Sequence, residues 1–309
     1  MKKNNIYIPL IMATMMFLIL MACHDDNNHE EEIRGGINTK LQLDFSIAGE
    51  TGTTKSTDYF MMGDRIGFTL SGAINDNEGY SALCMGHYWI VEEEVYLTLE
   101  GQTVYAVYPY HPVLGHHPVL PIDHTTQTDI LYGRGYVSRN EDHAHIIMQH
   151  VLSLVCFRFH RGEYPGEGII NEISIESAPD KQALYSYAQF EFNSWTLNYD
   201  TGQENYQPAV IRGEAVYPNR ISDTGQNAGV YPKIFAVPLK EFENDGDVLF
   251  RFKIDSKDYF FPLPKRTVWE SGKRYIYDVW MLPGLETKSG NNAGRNNQWC
   301  ISVEKRQYQ

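Results

Sequence analysis

Residues 41–47 read Leu41-Gln42-Leu43-Asp44-Phe45-Ser46-Ile47. Successive side chains of an extended chain point to opposite faces, so Leu41, Leu43, Phe45 and Ile47 share one side, and Gln42, Asp44 and Ser46 the other. That alternation predicts a half-buried strand, and the two-residue period recurs along the chain. It returns at Ile66, Phe68 and Leu70, and at Val95, Leu97 and Leu99. In the second half it appears at Ile173 and Ile175, at Phe190 and Phe192, and at Trp195, Leu197 and Tyr199. Val248, Phe250, Phe252 and Ile254 alternate ahead of Asp255-Ser256-Lys257-Asp258 and Tyr259-Phe260-Phe261, a hairpin pattern. Tyr275, Tyr277, Val279 and Met281 complete the series. Two stretches, 103–108 and 151–159, are apolar on both faces, as central strands covered on both sides are.

Beyond the first 23 residues, no run of twelve shows a helical period. Many short strands between Gly, Pro and Asn turns predict an all-β fold, a sandwich or barrel. The number of strands suits two tandem sandwiches, 40–179 and 180–284, divided where Ala178-Pro179-Asp180 interrupts the pattern. The 309 residues are 42% hydrophobic and 13% aromatic, enough for sizeable cores, and the 21 Tyr and 14 Phe favour strands. The formal charge is −13, and −15 without Lys2 and Lys3. An acidic chain repels phosphate backbones, which argues against nucleic acid as a partner.

The first 23 residues form a leader. Lys2 and Lys3 precede an apolar run, Ile6 to Ala22, too short for a typical membrane span. It ends in Leu20-Met21-Ala22-Cys23, which resembles a bacterial lipobox: a small residue before a cysteine whose thiol takes a diacylglycerol before cleavage. Cys23 is thus the expected lipidation site, holding the mature chain to the outer membrane by lipid. Residues 24–39 begin His24-Asp25-Asp26-Asn27-Asn28-His29-Glu30-Glu31-Glu32, an acidic tether too polar to pack. Its acidic residues behind the cysteine resemble the surface-export signal of Bacteroidetes lipoproteins, and the expected location is the cell surface.

Little in the chain points to catalysis. There is no Gly-x-Ser-x-Gly elbow, phosphate loop or His-Glu-x-x-His, and no enzyme activity or cofactor is expected. Glu92-Glu93-Glu94 reads as a solvated turn. His111, His116, His117 and His124 lie in one Pro-rich loop, and His143 and His145 would share a strand face, but neighbouring carboxylates do not form a metal cage. These are read as loop and strand histidines, with His150 a strand residue whose ring is satisfied. Cys84, Cys156 and Cys300 cannot all pair in one chain; Cys84 and Cys156 either form a disulfide or stay as thiols. Tyr110, Trp195 and Trp269 are assigned to packing ahead of sugar stacking.

The tail, 285–309, is distinct. Leu285 to Gln298 is rich in Gly, Asn and Ser and reads as flexible. Trp299-Cys300-Ile301-Ser302-Val303 then forms a strand-competent segment, either a donor strand for an open sheet edge or a frayed terminus.

Five segments, in order, carry a family resemblance: Gly63-Asp64-Arg65-Ile66-Gly67-Phe68; Thr103-Val104-Tyr105-Ala106-Val107-Tyr108-Pro109-Tyr110; Asp129-Ile130-Leu131-Tyr132-Gly133; the His150-led strand to Phe157; and Trp269-Glu270-Ser271-Gly272-Lys273-Arg274-Tyr275-Ile276-Tyr277. With the lipobox and tether, this set resembles the fimbrillin family of type V pilus subunits of Bacteroidales. The resemblance implies two transthyretin-like β-sandwich domains with Greek-key-type connections, assembling with other pilus subunits by strand exchange. It also implies trimming by an arginine-specific protease. Arg34 is the candidate cut site, or else a plain tether charge; a cut there leaves the 41–47 strand in place. A stalk, anchor or tip role with a host or bacterial surface ligand follows. The alternative is a surface glycan-binding lipoprotein of the same fold.

Overall fold

The computed structural model describes residues 38–48, 59–71, 79–111, 119–192, 194–199, 206–221, 230–283 and 299–305. Cys23, tether residues 24–37 with Arg34, His116, His117 and residues 284–298 and 306–309 lie outside them, while the last two tether residues, Asn38 and Thr39, are described as a short strand. The described residues form strands and no α-helix. Their only helical pieces are two three-residue 3-10 turns, His124–Thr126 and Gly213–Ala215.

Seven strands form the first sheet. In spatial order they are β2 (Gln42–Ile47), β10 (His143–His150), β9 (Leu131–Val137), β7 (Gln102–Tyr108), β3 (Arg65–Leu70), β4 (Tyr80–Cys84) and β5 (Trp89–Val91). The pair β2–β10 is parallel, with Gln42 beside His143 and Ile47 beside Met148; the other pairs are antiparallel. A short ladder joins β1 (Asn38–Thr39) to β6 (Val95–Tyr96). Because β1 runs into β2 and β5 leads to β6, this ladder draws the sheet's two edges together. The strand expected over 95–99 is shorter than its pattern: Leu97 is buried, but Leu99 turns out to solvent. Inside the curl pack Leu41, Leu43, Phe45, Ile66, Phe68, Val104, Ala106 and Ile146. Burying one side chain of the size of Phe68 is worth about 1.5–3 kcal/mol.

Gly133 and Gly135 of β9 admit this packing. A Cβ on Gly133 would stand 2.7 Å from Ile146 Cγ2 and 2.8 Å from Met148 Sδ, so the β10 side chains occupy the space its own side chain would need.

A second pair of sheets encloses a larger core. One runs β16 (Lys233–Ala236), β11 (Ser153–His160), β19 (Arg274–Pro283), β20 (Trp299–Lys305); the other runs β15 (Ala209–Arg212), β12 (Ile170–Ser177), β17 (Val248–Ile254), β18 (Lys257–Pro262). Phe157 meets Phe250 and Phe252 edge-on, with ring centroids 5.0 and 5.1 Å apart, and Trp269 Nε1–H donates to Tyr277 OH at 2.9 Å. The Asp255-Ser256 turn joins β17 to β18 with both residues at positive φ, as a tight hairpin requires. Strands β11 and β12 lie before residue 180, yet all their partners lie beyond residue 208.

A three-stranded sheet, β14 (Thr196–Asn198), β13 (Tyr187–Glu191), β8 (Val119–Asp123), covers the outer face of the first. Its Leu120, Ile122, Phe190 and Phe192 pack with Val107 and Tyr132, and with Val151, Leu152 and Val237 of the second half. Strand β7 is therefore apolar on both faces because it is covered on both faces.

Candidate functional site

Strand edges are the chemically active feature of this fold, because each carries backbone donors and acceptors that another strand can satisfy. Two edges stand out. The first is the seam between β2 and β5. Gln42 N–H donates to Asp142 O at 2.9 Å and Ala48 N–H to Met148 O at 2.7 Å, so the even-numbered residues bond β10. Leu41, Leu43 and Phe45 turn their backbone groups the other way, toward β5. The β1–β6 ladder closes the seam at one end, and the Phe45 and Trp89 rings, 4.8 Å apart, close it at the other. Between them lies a cleft of about 630 Å³ lined by Leu41, Leu43, Asp44, Trp89, Val91 and Glu94.

The second edge is β20, which contains the predicted donor segment Trp299, Cys300, Ile301, Ser302 and Val303. It pairs antiparallel with β19 from Tyr277–Lys305 to Pro283–Trp299. Val303 is buried in the second core and Ile301 is half-buried against it, while Cys300 and Glu304 face solvent. The Lys305 ammonium stands 4.4 Å over the Tyr275 ring. Burial lowers its pKa, against the pull of Glu270. Among the described residues β20 pairs on one side only.

The other edge of that sheet, β16, is masked by side chains. Gln127 acts as a surrogate strand: its Oε1 accepts from Phe235 N–H at 2.9 Å and its Nε2 donates to Phe235 O at 2.7 Å. His124 Nδ1 accepts from Val237 N–H at 3.3 Å. Since an amide can only donate, the ring proton sits on Nε2, which donates to Gln207 O at 2.8 Å. Burial lowers the His124 pKa, with the Gln207 carbonyl and Asp123 acting in the opposite sense. The sequence places His124 in a loop; the structure makes it a fully buried clasp.

Other expected residues are placed as follows. His143 and His145 share the exposed face of β10, where they meet Asp44 Oδ2 at 3.0 Å and Ser46 Oγ at 2.9 Å, fastening β2. His150 Nδ1 pairs with Asp129 at 2.9 Å. Cys84 and Cys156 are buried and not joined by a disulfide, and Cys300 is exposed. Trp269 is buried and Trp195 packs in the joint beneath Arg134, 4.3 Å away; Tyr110 stays 38% exposed. Glu92 and Glu93 are exposed, and their carboxylates close on Ser81: Glu93 accepts from Ser81 N–H at 2.7 Å, and the single Ser81 Oγ proton lies within reach of both, at 2.6 and 2.9 Å. One cluster went unread in the sequence: Asp278 Oδ1 takes both Arg158 Nε and His160 Nε2 across the parallel β11–β19 pair.

The described residues thus form an all-β arrangement of stacked sheets with accessible strand edges. The chain belongs to the fimbrillin-like family, whose model matches residues 38–292. Membership supports a role as a pilus subunit or in adhesion. No curated protein matches the chain. Among solved structures, a candidate cell adhesion protein from Bacteroides ovatus ATCC 8483 is similar at 17% identity and TM-score 0.59, over 88% of this chain and 97% of that one. Another from Bacteroides uniformis ATCC 8492 aligns at 13% identity and TM-score 0.54, over 85% and 96%. At these identities the likeness establishes the fold.

Proposed function

We propose that the protein is a subunit or anchor of a surface pilus, held to the outer membrane through lipid on Cys23 and joined to other subunits by strand exchange. The observation that carries this reading is β20, a seven-residue edge strand beyond the family match, tied to the body through 284–298. Family membership and the half-open seam beside β2 support it. Two tandem units divided near residue 180 remain part of the proposal, with strand pairing that crosses the division: β11 and β12 pair with strands beyond residue 208, and β13 pairs back to β8. Arg34 is the proposed processing site. It precedes β2, so a cut there leaves Leu41, Leu43 and Phe45 seated.

The test is to treat purified protein with an arginine-specific protease and look for SDS-resistant ladders. Ladders are expected, weakened by deleting 299–309 and restored by that segment in trans. Absence of ladders in every arm would overturn assembly by strand exchange. Metabolic labelling with a palmitate analogue, lost in Cys23→Ala, checks the anchor.

A further inference from the structure

The parallel β11–β19 pair sets Arg158 beside Asp278 and His160 beside Trp280, and the antiparallel β19–β20 pair sets Asp278 beside Glu304 and Trp280 beside Ser302. Their neighbours along the strands, Phe159, Val279 and Val303, point into the core, so these six side chains occupy the outer face of the sheet. Asp278 Oδ1 accepts from Arg158 Nε–H and, at 2.7 Å, from His160 Nε2–H. Held there, the His160 ring lies along Trp280, with centroids 4.8 Å apart and planes within 10°.

That separation matches the spacing of neighbouring strands, about 4.8 Å. The stack therefore runs across the sheet: one face of Trp280 meets His160, and the other is turned toward β20. The residue on that rung is Ser302, too small to cover an indole. Trp280 is accordingly only half-buried, although its strand is central in the sheet. Beside it, above β20, is a slot one ring thick, with the Ser302 hydroxyl at its floor and the exposed Glu304 carboxylate at its end. Neither Ser302 Oγ nor the Glu304 carboxylate is bonded to another described residue.

We infer that this slot binds a neutral pyranose, stacked on Trp280 and hydrogen-bonded to Ser302 and Glu304. The negative face of an indole attracts the polarised C–H groups that a pyranose presents on one side. The hydroxyls around its rim donate to Glu304 and exchange bonds with Ser302. A purely apolar occupant would leave both polar groups without a partner. An anionic sugar would meet the Glu304 charge, and Arg158 does not offset it because Asp278 already takes that guanidinium. His160, clamped by Asp278, holds the indole upright before the ligand arrives, so little ordering is left for binding to supply. The site goes beyond the pilus reading and does not rest on strand exchange.

The test is saturation-transfer NMR on the chain starting at residue 24, with methyl glucoside, methyl galactoside and methyl glucuronide at millimolar concentration. Expected is transfer to a neutral glycoside, strongest at the C–H protons of one ring face, and several-fold less to the glucuronide. Trp280→Ala should weaken binding about three- to tenfold. Ser302→Leu keeps Trp280 and fills the slot, so it should abolish binding while leaving the melting temperature unchanged. Glu304→Gln should weaken binding a few-fold and narrow the discrimination against the glucuronide. Phe260→Ala, which removes a 54% exposed ring from the other sheet, should leave binding intact. If Trp280→Ala misfolds, Ser302→Leu still decides. No transfer to either neutral glycoside, wild-type binding in Ser302→Leu, or equal binding of the glucuronide overturns the assignment. Binding without protease-induced ladders upholds this site and sinks strand exchange; ladders without binding do the reverse.

Discussion

Replacing His124 by alanine removes the clasp between the 123–127 turn and the end of β16. The ring is 0% exposed, and Val237, whose N–H it accepts, is 1% exposed. Alanine leaves that amide without an acceptor, at about 1–3 kcal/mol, and opens a void worth about 1–2 kcal/mol more. Together these are roughly 2–5 kcal/mol, or a Tm lower by roughly 3–8 °C for a chain of this size. Glutamine offers an oxygen for Val237 and an N–H for Gln207, so His124→Gln should cost about 1 kcal/mol or less.

The two variants also separate by pH. Burial lowers the His124 pKa from its ordinary 6.5. The unfolded chain then takes up the proton at higher pH than the folded one, so the clasp contributes fully above 6.5 and its contribution is lost as pH falls through the lowered value. Urea denaturation at pH 7.5 and 5.5 should show a larger acid loss in the wild type than in His124→Gln. An equal acid loss in both, or a His124→Ala variant within about 0.5 kcal/mol of wild type, would refute the clasp.

Asp278→Asn should cost about 2–4 kcal/mol, because it leaves the Arg158 charge without its partner. Burial alone would raise the Asp278 pKa, but the bonds from Arg158 and His160 outweigh it and hold the carboxyl below its usual 3.8. Its contribution is therefore complete above that pH and is lost as pH falls through the lowered value, so Asp278→Asn should flatten the acid limb of a stability profile. Gly133→Ala should lose about 1–3 kcal/mol in urea melts, since its methyl would press on Ile146, Met148 and the Ile147 carbonyl. Phe45→Ala should cost about 3–4 kcal/mol and raise amide exchange selectively across 42–47, where unchanged exchange would argue against Phe45–Trp89 as the closure of the seam.

Strands whose two faces meet different surroundings were legible in the sequence. Leu41 to Ile47, Ile66 to Leu70 and Val248 to Ile254 alternate because one side meets a core and the other is less covered; Tyr275 to Met281 alternates too, although Ile276 and Asp278 on its other side are also buried. The apolar stretches 103–108 and 151–159 mark β7 and β11, each central in its sheet. Strand β9 was hidden, since Gly133 and Gly135 have no side chains with which to alternate and borrow their cover from β10. Pairing across long separations was hidden too. The break at 178–180 is a turn, with Asp180 at φ 62°, and strand pairing runs across it: the β11–β19 ladder joins residues about 120 apart. Nothing local in His124 or Gln127 signals that their partners stand more than 100 residues on. Trp299 to Val303 was readable as a strand, but its docking on β19 was not, because the opposing edge belongs to another alternating segment.

The parallel seating of β2 on β10 bears on how the molecule carries load. The chain enters β2 at Gln42 and leaves β10 at His150, at opposite ends of the paired strands. Tension applied through those two points, once the short β1 ladder parts, slides one strand along the other. All six rungs from Gln42 to Ile47 are then strained together, where a hairpin pulled from its open end would unzip them singly. A thread built of such units would resist steady drag far better than its modest number of hydrogen bonds suggests.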